Sequence, residues 1–357
     1  MKTRHWLAPA LLCALAAGIA AAAAPAAVGD ALDRPALVAR DPSHAVLLAA
    51  AQAGVRVLAV GERGIMLGSD DAARSWRQVP TPTSVSLTSV RFADATHGWA
   101  VGHGGVVLGT ADGGRSWTKK LDGRRIAQLE LEAARQGGDA AALKAAERLV
   151  ADGADKPLLD LLVLDAQRAL VIGAYGMALA TEDGGATWSS WRARMDNPKE
   201  LHLYAVRRRG DSVVIAGEQG LLLLSTDAGK SFNRLTTPYK GSFFTAELPA
   251  DGEMIVAGLR GNIWRSTDAG VNWTQVPSPV PVSITASAKR ADGSLVFVNQ
   301  AGMVLVLKDG ALRPLPAGPL PPLNGVLALS DGALLVLSIH GARRLDAAGP
   351  ALQGSAK

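Results

Sequence analysis

The feature that most restricts the fold of this chain is an eight-residue pattern, Ser/Thr-x-Asp-x-Gly-x-x-Trp, that returns along most of its length. Three copies are intact: Thr110 with Asp112, Gly114 and Trp117; Thr181 with Asp183, Gly185 and Trp188; Ser266 with Asp268, Gly270 and Trp273. Two depart at one position. The copy with Ser69, Asp71 and Trp76 has Ala73 in place of glycine, and the copy with Ser225 and Asp227 ends on Phe232. Degenerate sixth and seventh copies centre on Asp309 and Asp346, so that the aspartates follow one another at intervals of 41, 71, 44, 41, 41 and 37 residues. About 40 to 45 residues is what four short strands and their turns consume, the size of one propeller blade. Apolar runs such as residues 213–216, 221–224 and 295–298 are too short for helices and are bounded by Gly or Asp-Gly. The spacing therefore predicts an all-β, seven-bladed β-propeller over residues 28–349, followed by a tail, 350–357.

The pattern has the chemistry of a tight turn. An Asp carboxylate accepts hydrogen bonds from backbone N–H groups across the turn, the Ser/Thr hydroxyl adds another, and glycine supplies a positive φ without a Cβ clash. The aromatic residue then opens the outer strand with its ring turned inward to bury apolar area between sheets. Asp71, Asp112, Asp183, Asp227 and Asp268, with Trp76, Trp117, Trp188, Phe232 and Trp273, are thus expected to be structural. No metal site is expected from these carboxylates, because each belongs to a different blade and no cluster of His, Asp or Glu completes a coordination shell.

Two segments break the repeat. The chain ends soon after Asp346, leaving the last blade without an outer strand. Residues 34–40, just before the first inner strand at 45–50, are expected to supply it and so remove an open sheet edge. The interval of 71 is long by about 30 residues, and residues 122–136 and 139–153 read as two helices. Ile126, Leu129 and Ala133 mark one face of the first, Leu143, Ala146 and Val150 one face of the second; Gly137 and Gly138 split them, Asp139 caps the second, and Pro157 lies beyond it. This is a helical hairpin inserted between blades 2 and 3 (residues 121–156), either decoration or a functional addition.

The N-terminus reads as an export signal over residues 1–27. Lys2 and Arg4 precede an uncharged apolar run, 7–24, and small residues follow around Pro25. A periplasmic or secreted protein is expected, with an uncleaved membrane anchor as the alternative. Cys13, the single cysteine, follows Leu12 where a lipoprotein signal places a small residue, which argues against lipidation. Without Lys2 and Arg4 the chain holds 35 basic and 32 acidic residues, a weak excess with no aromatic interleaving, so nucleic-acid binding is not expected. The one basic run, Arg207, Arg208 and Arg209, reads as a solvated turn. No Gly-x-Ser-x-Gly elbow occurs, the mature chain has no thiol, and the glycine pairs sit between strands rather than before helices, so no cofactor is expected.

Strands of a blade alternate in direction, so the turns between second and third strands share one face with the blade-to-blade connections and the helical insertion. Gly-x-x-Gly frames most of these turns, and the residues between the glycines differ from blade to blade. Arg63, His103, Tyr175, Glu218, Gln219, Arg260 and His340 form the candidate binding face.

The Gly-x-x-Gly turn, apolar strand and Asp box, as in Gly217 to Gly220 followed by Ser225 to Gly229, resemble the photosystem II stability and assembly factor family of cyanobacteria and plastids. More broadly they resemble the bacterial-neuraminidase-repeat (Asp-box) propellers. The resemblance runs over most of the mature chain. It implies a seven-bladed propeller of photosynthesis that acts as a chaperone-like factor in membrane-protein assembly, through an Arg-rich surface and without catalysis. Arg63 and Arg260 fall in the corresponding turns, whereas His103, Tyr175 and Gln219 interrupt an arginine patch, and the helical insertion is a further departure. The expected partner is a membrane protein or membrane-associated complex, bound by a monomer. The alternative from a different class is a glycoside hydrolase of the sialidase type, for which Tyr175 and Glu218 are the best available pair. A soluble receptor for a small molecule at the propeller axis, using Leu259 and Ile339, is a third.

Overall fold

The computed structural model describes residues 29–346; the expected signal (1–27) and tail (350–357) lie outside the described residues. Seven antiparallel sheets follow one another along the chain, six of four strands and the last of three, each a meander in sequence order. They occupy residues 47–79, 87–121, 158–190, 203–234, 243–275, 284–314 and 323–345. The second strand of each blade is apolar along its middle because both of its faces are covered by neighbouring sheets. Val57, Leu58, Ala59 and Val60 are all fully buried, as are Val214, Ile215 and Ala216. The core is accordingly divided into seven interblade layers. Leu58, Val60, Leu87, Ala100 and Trp117 form the one between blades 1 and 2. Leu47, Val57, Ala59 and Leu67 pack on Leu329, Leu335 and Leu337 between blades 1 and 7, which closes the ring.

Five turns have the predicted Asp-box geometry. In each, Oδ1 of the aspartate accepts from the backbone N of the fourth residue on (Ser75, Ser116, Thr187, Ser231, Asn272) at 2.8 to 3.0 Å. Oδ2 accepts from the side chain of that same residue at 2.6 or 2.7 Å. The Ser/Thr hydroxyl two positions before the aspartate donates to Oδ1 and accepts the N–H of the glycine position. That position has φ between 66° and 90°, and Ala73 adopts it despite its Cβ. Trp117, Trp188 and Phe232 are buried, while Trp76 and Trp273 are partly buried against the interblade layers.

The sixth copy is not a box, and the seventh runs past Asp346, outside the described residues. Asp309 and Gly310, with φ of 51° and 76°, make a two-residue hairpin between Val304–Lys308 and Ala311–Pro314. Two successive positive φ values match the twist of the flanking strands, and Asp-Gly suits that turn. Asp346 follows the final strand Gly341–Leu345, and its carboxylate accepts from Arg344 Nε at 2.7 Å.

Ring closure also differs from expectation. Residues 34–40 lie along blade 1, not blade 7: Ala36 N donates to Thr81 O (3.2 Å), Ala39 N to Gln78 Oε1 (2.9 Å), and Gln78 Nε2 to Leu37 O (2.8 Å). Among the described residues the last blade has three strands, and the short helical turn Pro42–His44 abuts it, so close that a Cβ on Gly341 would lie 1.8 Å from Ser43 O. The ring needs no borrowed strand because its blades join face to face through side chains. Asn324 Nδ2 donates to Leu47 O (3.1 Å), Arg344 Nη1 to Ala72 O (2.8 Å), and Gln52 and Ser330 exchange two further bonds.

The helical hairpin is as read. Helix α1 spans Gly123–Gly137 and α2 Ala140–Asp152, each capped by the preceding aspartate, with Gly138 in the left-handed region between them. Helix α1 buries Ile126, Ala127, Glu130 and Leu131, whereas α2 buries only Ala146. Ile126 completes the layer between blades 2 and 3.

Arg207 is not in a solvated turn. All three arginines belong to the inner strand Leu203–Arg209, and Arg207 Nη1 donates to Asp160 Oδ2 at 2.7 Å. Asp160, buried on the inner strand of blade 3, also accepts from Ser89 Oγ (2.9 Å), Arg91 Nη2 (3.3 Å) and Val206 N (3.1 Å). Arg207 Nε lies 4.0 Å from Glu247 Oε1, which accepts from Ser287 Oγ at 2.7 Å. Inner strands of blades 2 to 5 thus carry alternating charges, Arg91, Asp160, Arg207 and Glu247. Burial works against the Asp160 carboxylate, yet the two guanidiniums outweigh it and hold its pKa low.

Two predictions follow from these contacts. Hydrogen bonds from Thr187 hold the Asp183 carboxyl at about 2, and the other four box aspartates are likewise held below the ordinary carboxylate range. In the unfolded chain such groups take up protons from about pH 4 downward, so between about pH 4 and 2 the unfolded state binds more protons and stability falls with pH. Calorimetry is expected to show a midpoint that drops across that window, with a shallower slope for Asp183→Asn; identical slopes would contradict the assignment. Asp160→Asn leaves Arg91 and Arg207 without their shared counter-charge and is expected to cost about 3 to 5 kcal/mol in urea unfolding. A loss below about 1 kcal/mol would show that the guanidiniums find other partners.

Candidate binding face

Five Gly-x-x-Gly turns are built alike. Each is a single helical turn (Glu62–Gly64, His103–Gly105, Ala174–Gly176, Glu218–Gly220, Leu259–Gly261) whose middle residue has a positive φ. Those residues are Arg63, Gly104, Tyr175, Gln219 and Arg260, at 51° to 64°. The first residue of each turn donates its N–H to a carbonyl just before the inner strand of the same blade: Glu62 to Val46, His103 to Ser86, Ala174 to Pro157, Glu218 to His202, Leu259 to Ser242. The framing glycines permit this approach, since a Cβ on Gly61 would lie 1.9 Å from Val46 O and one on Gly64 2.0 Å from Thr83 O. The backbone is clamped and the side chains of the middle residues Arg63, Tyr175, Gln219 and Arg260 are left exposed.

The predicted residues divide into two groups. Arg63, His103, Gln219, Arg260 and His340 are exposed and scattered around the face. Arg63 and Arg260 make no ion pair among the described residues; their backbone N–H groups bond Ser86 Oγ and Ser283 Oγ. Tyr175 and Glu218, by contrast, are joined through His202. Tyr175 N donates to His202 Nδ1 at 3.0 Å, and Glu218 Oε2 accepts from His202 N at 3.2 Å. Nδ1 is the acceptor, which assigns the imidazole proton to Nε2.

From Tyr175 an edge-on aromatic row crosses three blades. Its ring lies 4.9 Å from His202, His202 lies 6.2 Å from Tyr204, and Tyr204 lies 5.3 Å from Phe244. Lys156 Nζ sits 5.2 Å from the Tyr175 ring centre. Tyr175 is 50% exposed, with Leu259 (37%) and Ile339 (44%) on the same set of turns. Burial, helped by the charge of Glu218, raises the Tyr204 phenol, which is therefore neutral and able to donate. Tyr239 Oη donates to Leu259 O at 2.9 Å and braces the neighbouring turn.

His202, Tyr204, Phe244 and Lys156 were not foreseen. The signal for Tyr204 and Phe244 is a register shift. The inner strands of blades 4 and 5 each skip one residue in pairing with their second strands, after Leu203 and after Phe243, and the skipped residues are Tyr204 and Phe244. A bulge there re-aims a side chain that alternation alone would place elsewhere.

A family model described as "Photosynthesis system II assembly factor YCF48" matches residues 68–143 and 139–310. The photosystem II assembly lipoprotein Ycf48 of Synechococcus sp. (strain CC9902) is 30% identical over 93 residues, 26% of each chain. The chain thus spans about a quarter of the length of that curated relative. Two solved structures share the fold at a TM-score of 0.63, each covering 87% of this chain and 98% of its own: YCF48 bound to D1 peptide, at 18% identity, and YCF48 from Cyanidioschyzon merolae, at 16%. The family match covers well over half of the sequence and contains the boxes of Asp112, Asp183, Asp227 and Asp268, so the chain belongs to the photosynthesis system II assembly factor YCF48 family.

Proposed function

We propose that this protein is an exported, non-enzymatic factor that holds a segment of a membrane protein on its Gly-x-x-Gly turn face during assembly. The observation that carries the reading is the aromatic row of Tyr175, His202, Tyr204 and Phe244, on a turn face that also exposes Arg260 in the same blade as Phe244 and Arg63 farther round the ring, neither in an ion pair among the described residues. Aromatic rings held on one face with free guanidiniums elsewhere on it suit an extended peptide, because the rings bury apolar area with little loss of side-chain freedom while the arginines take up carboxylates or carbonyls. Kinship supports it: one structural neighbour is YCF48 bound to D1 peptide, and the curated relative is named an assembly lipoprotein. That relative's name also supports export.

The sialidase reading has less support. The Tyr175 ring packs edge-on against His202, and Glu218 Oε2 accepts the backbone N–H of the same histidine, so both members of the pair are engaged by His202 rather than by each other among the described residues. A photo-crosslinker at position 260 in living cells is expected to capture an integral membrane protein, with yield reduced at least about tenfold by Tyr175→Ala combined with Phe244→Ala. Undiminished capture by that double variant would move the docking site off this face. Release of a fluorescent aglycone from a glycoside panel, abolished by Glu218→Gln, would reverse the non-enzymatic reading.

A further inference from the structure

Between the helical hairpin and the 192–200 loop of blade 3 lies a cleft of about 500 Å³ that a plain propeller lacks. Its helical wall carries a run of alanines, Ala133 from α1 and Ala142 and Ala146 from α2 among them, so that side is smooth and apolar. Its charges are one-sided: Glu130, Asp139, Asp196 and Glu200 line it against the single cation Arg192. Arg192 is shared, forming a close pair with Glu200 while its Nη1 stays 3.7 Å from Glu130 Oε2.

Glu130 is the telling residue. Its side chain is 8% exposed, and Oε1 is buried without a hydrogen-bond partner. A carboxyl oxygen in that position is costly unless a donor reaches it. Burial pushes the Glu130 pKa up against the pull of Arg192 and a hydrogen bond from Ser190. An amphipathic helix placing a glutamate on its buried face, between Ile126 and Leu131, is the reverse of what core packing favours.

We infer that this cleft is a binding site for a basic side chain of a partner polypeptide, a lysine or arginine whose alkyl stem lies along the alanine walls and whose charged head reaches Glu130. Charge complementarity selects a cation, and the apolar length of the walls selects one carried on a methylene chain. The cleft is continuous with the turn face: a Cβ on Gly176, the glycine after Tyr175, would lie 2.9 Å from Asn197 Nδ2 and 3.3 Å from Glu200 Cα, both residues of the cleft wall. A polypeptide crossing the aromatic row therefore has a second anchor within reach, and the inserted hairpin is the element that creates it. The site itself stands on the cleft alone and does not need the turn face to bind anything.

Titration calorimetry on the mature chain tests it with a blocked pentapeptide of alanines around a central lysine, the same peptide with central norleucine, and 1,5-diaminopentane. The lysine peptide is expected to bind saturably, the norleucine peptide at least about tenfold more weakly, and Glu130→Gln to weaken the lysine peptide by about the same factor with an unchanged thermal melt. Ala133→Phe, a substitution at an exposed position that fills the cleft, is expected to abolish binding and decides the matter should Glu130→Gln fail to fold. Absence of saturable lysine-peptide binding, equal affinity for the norleucine peptide, or indifference to Ala133→Phe would overturn the site. Diamine binding as tight as the peptide's would overturn the polypeptide as its occupant.

Discussion

The architecture depends on a carboxylate that locks a turn. One aspartate accepts a backbone N–H and a side-chain donor from the same downstream residue, while the Ser/Thr before it fastens both the carboxylate and the glycine N–H. Because the outer strand begins immediately afterwards, the lock also decides where the aromatic ring goes. In blade 2 it sends Trp117 into the layer shared with blade 1, and in blade 3 it sends Trp188 into the layer shared with blade 2, 5.9 Å from Trp99. A polar contact worth little by itself at the surface thereby positions some of the largest apolar groups in the molecule.

That arrangement frees the opposite end of each blade. Ring integrity comes from layers between sheets and from the two arginines, Arg91 and Arg207, gathered on the buried Asp160 carboxylate of the inner strands, none of which involves the tips of the Gly-x-x-Gly turns. Arg63, Gln219 and Arg260 carry positive φ and exposed side chains, held by backbone bonds that any residue able to adopt the conformation would make. Such positions can change chemistry from blade to blade at small cost to the fold, which is the physical basis for a propeller face that is rigid in shape and variable in composition.

Much of this was legible in the sequence because the signals were local. The Asp box states its turn in eight residues, the Gly-x-x-Gly frame states its own in four, and Asp122, Asp139 and Gly138 bracket two helices as capping chemistry requires. What failed was non-local or ambiguous. Asp-Gly at 309 and 310 suits both an Asp box and a two-residue hairpin, and only the pairing of Lys308 with Ala311 decides between them. The extended stretch at 34–40 reads as a strand for blade 7, but Gln78 offers it both a donor and an acceptor on blade 1. Arg207 looks like its solvated neighbours until a partner 47 residues away, Asp160, is seen beside it. The aromatic row was hidden for a similar reason, since a one-residue slip in the inner strands sets the direction of Tyr204 and Phe244.

Membership in an assembly-factor family and a helical hairpin between blades 2 and 3 together describe a repeated frame carrying a local interruption. The frame is where the account is most exposed to test, through the amides that the box aspartates are said to hold. Ser75, Ser116, Thr187, Ser231 and Asn272 sit in exposed turns, yet each donates its N–H to a carboxylate oxygen. Native-state amide hydrogen exchange followed by NMR measures this directly. Protection at these five amides well above that of other exposed turn residues, lost at Ser116 in Asp112→Ala, is the predicted result; exchange as fast as in an unstructured peptide would contradict the lock on which the ring is built.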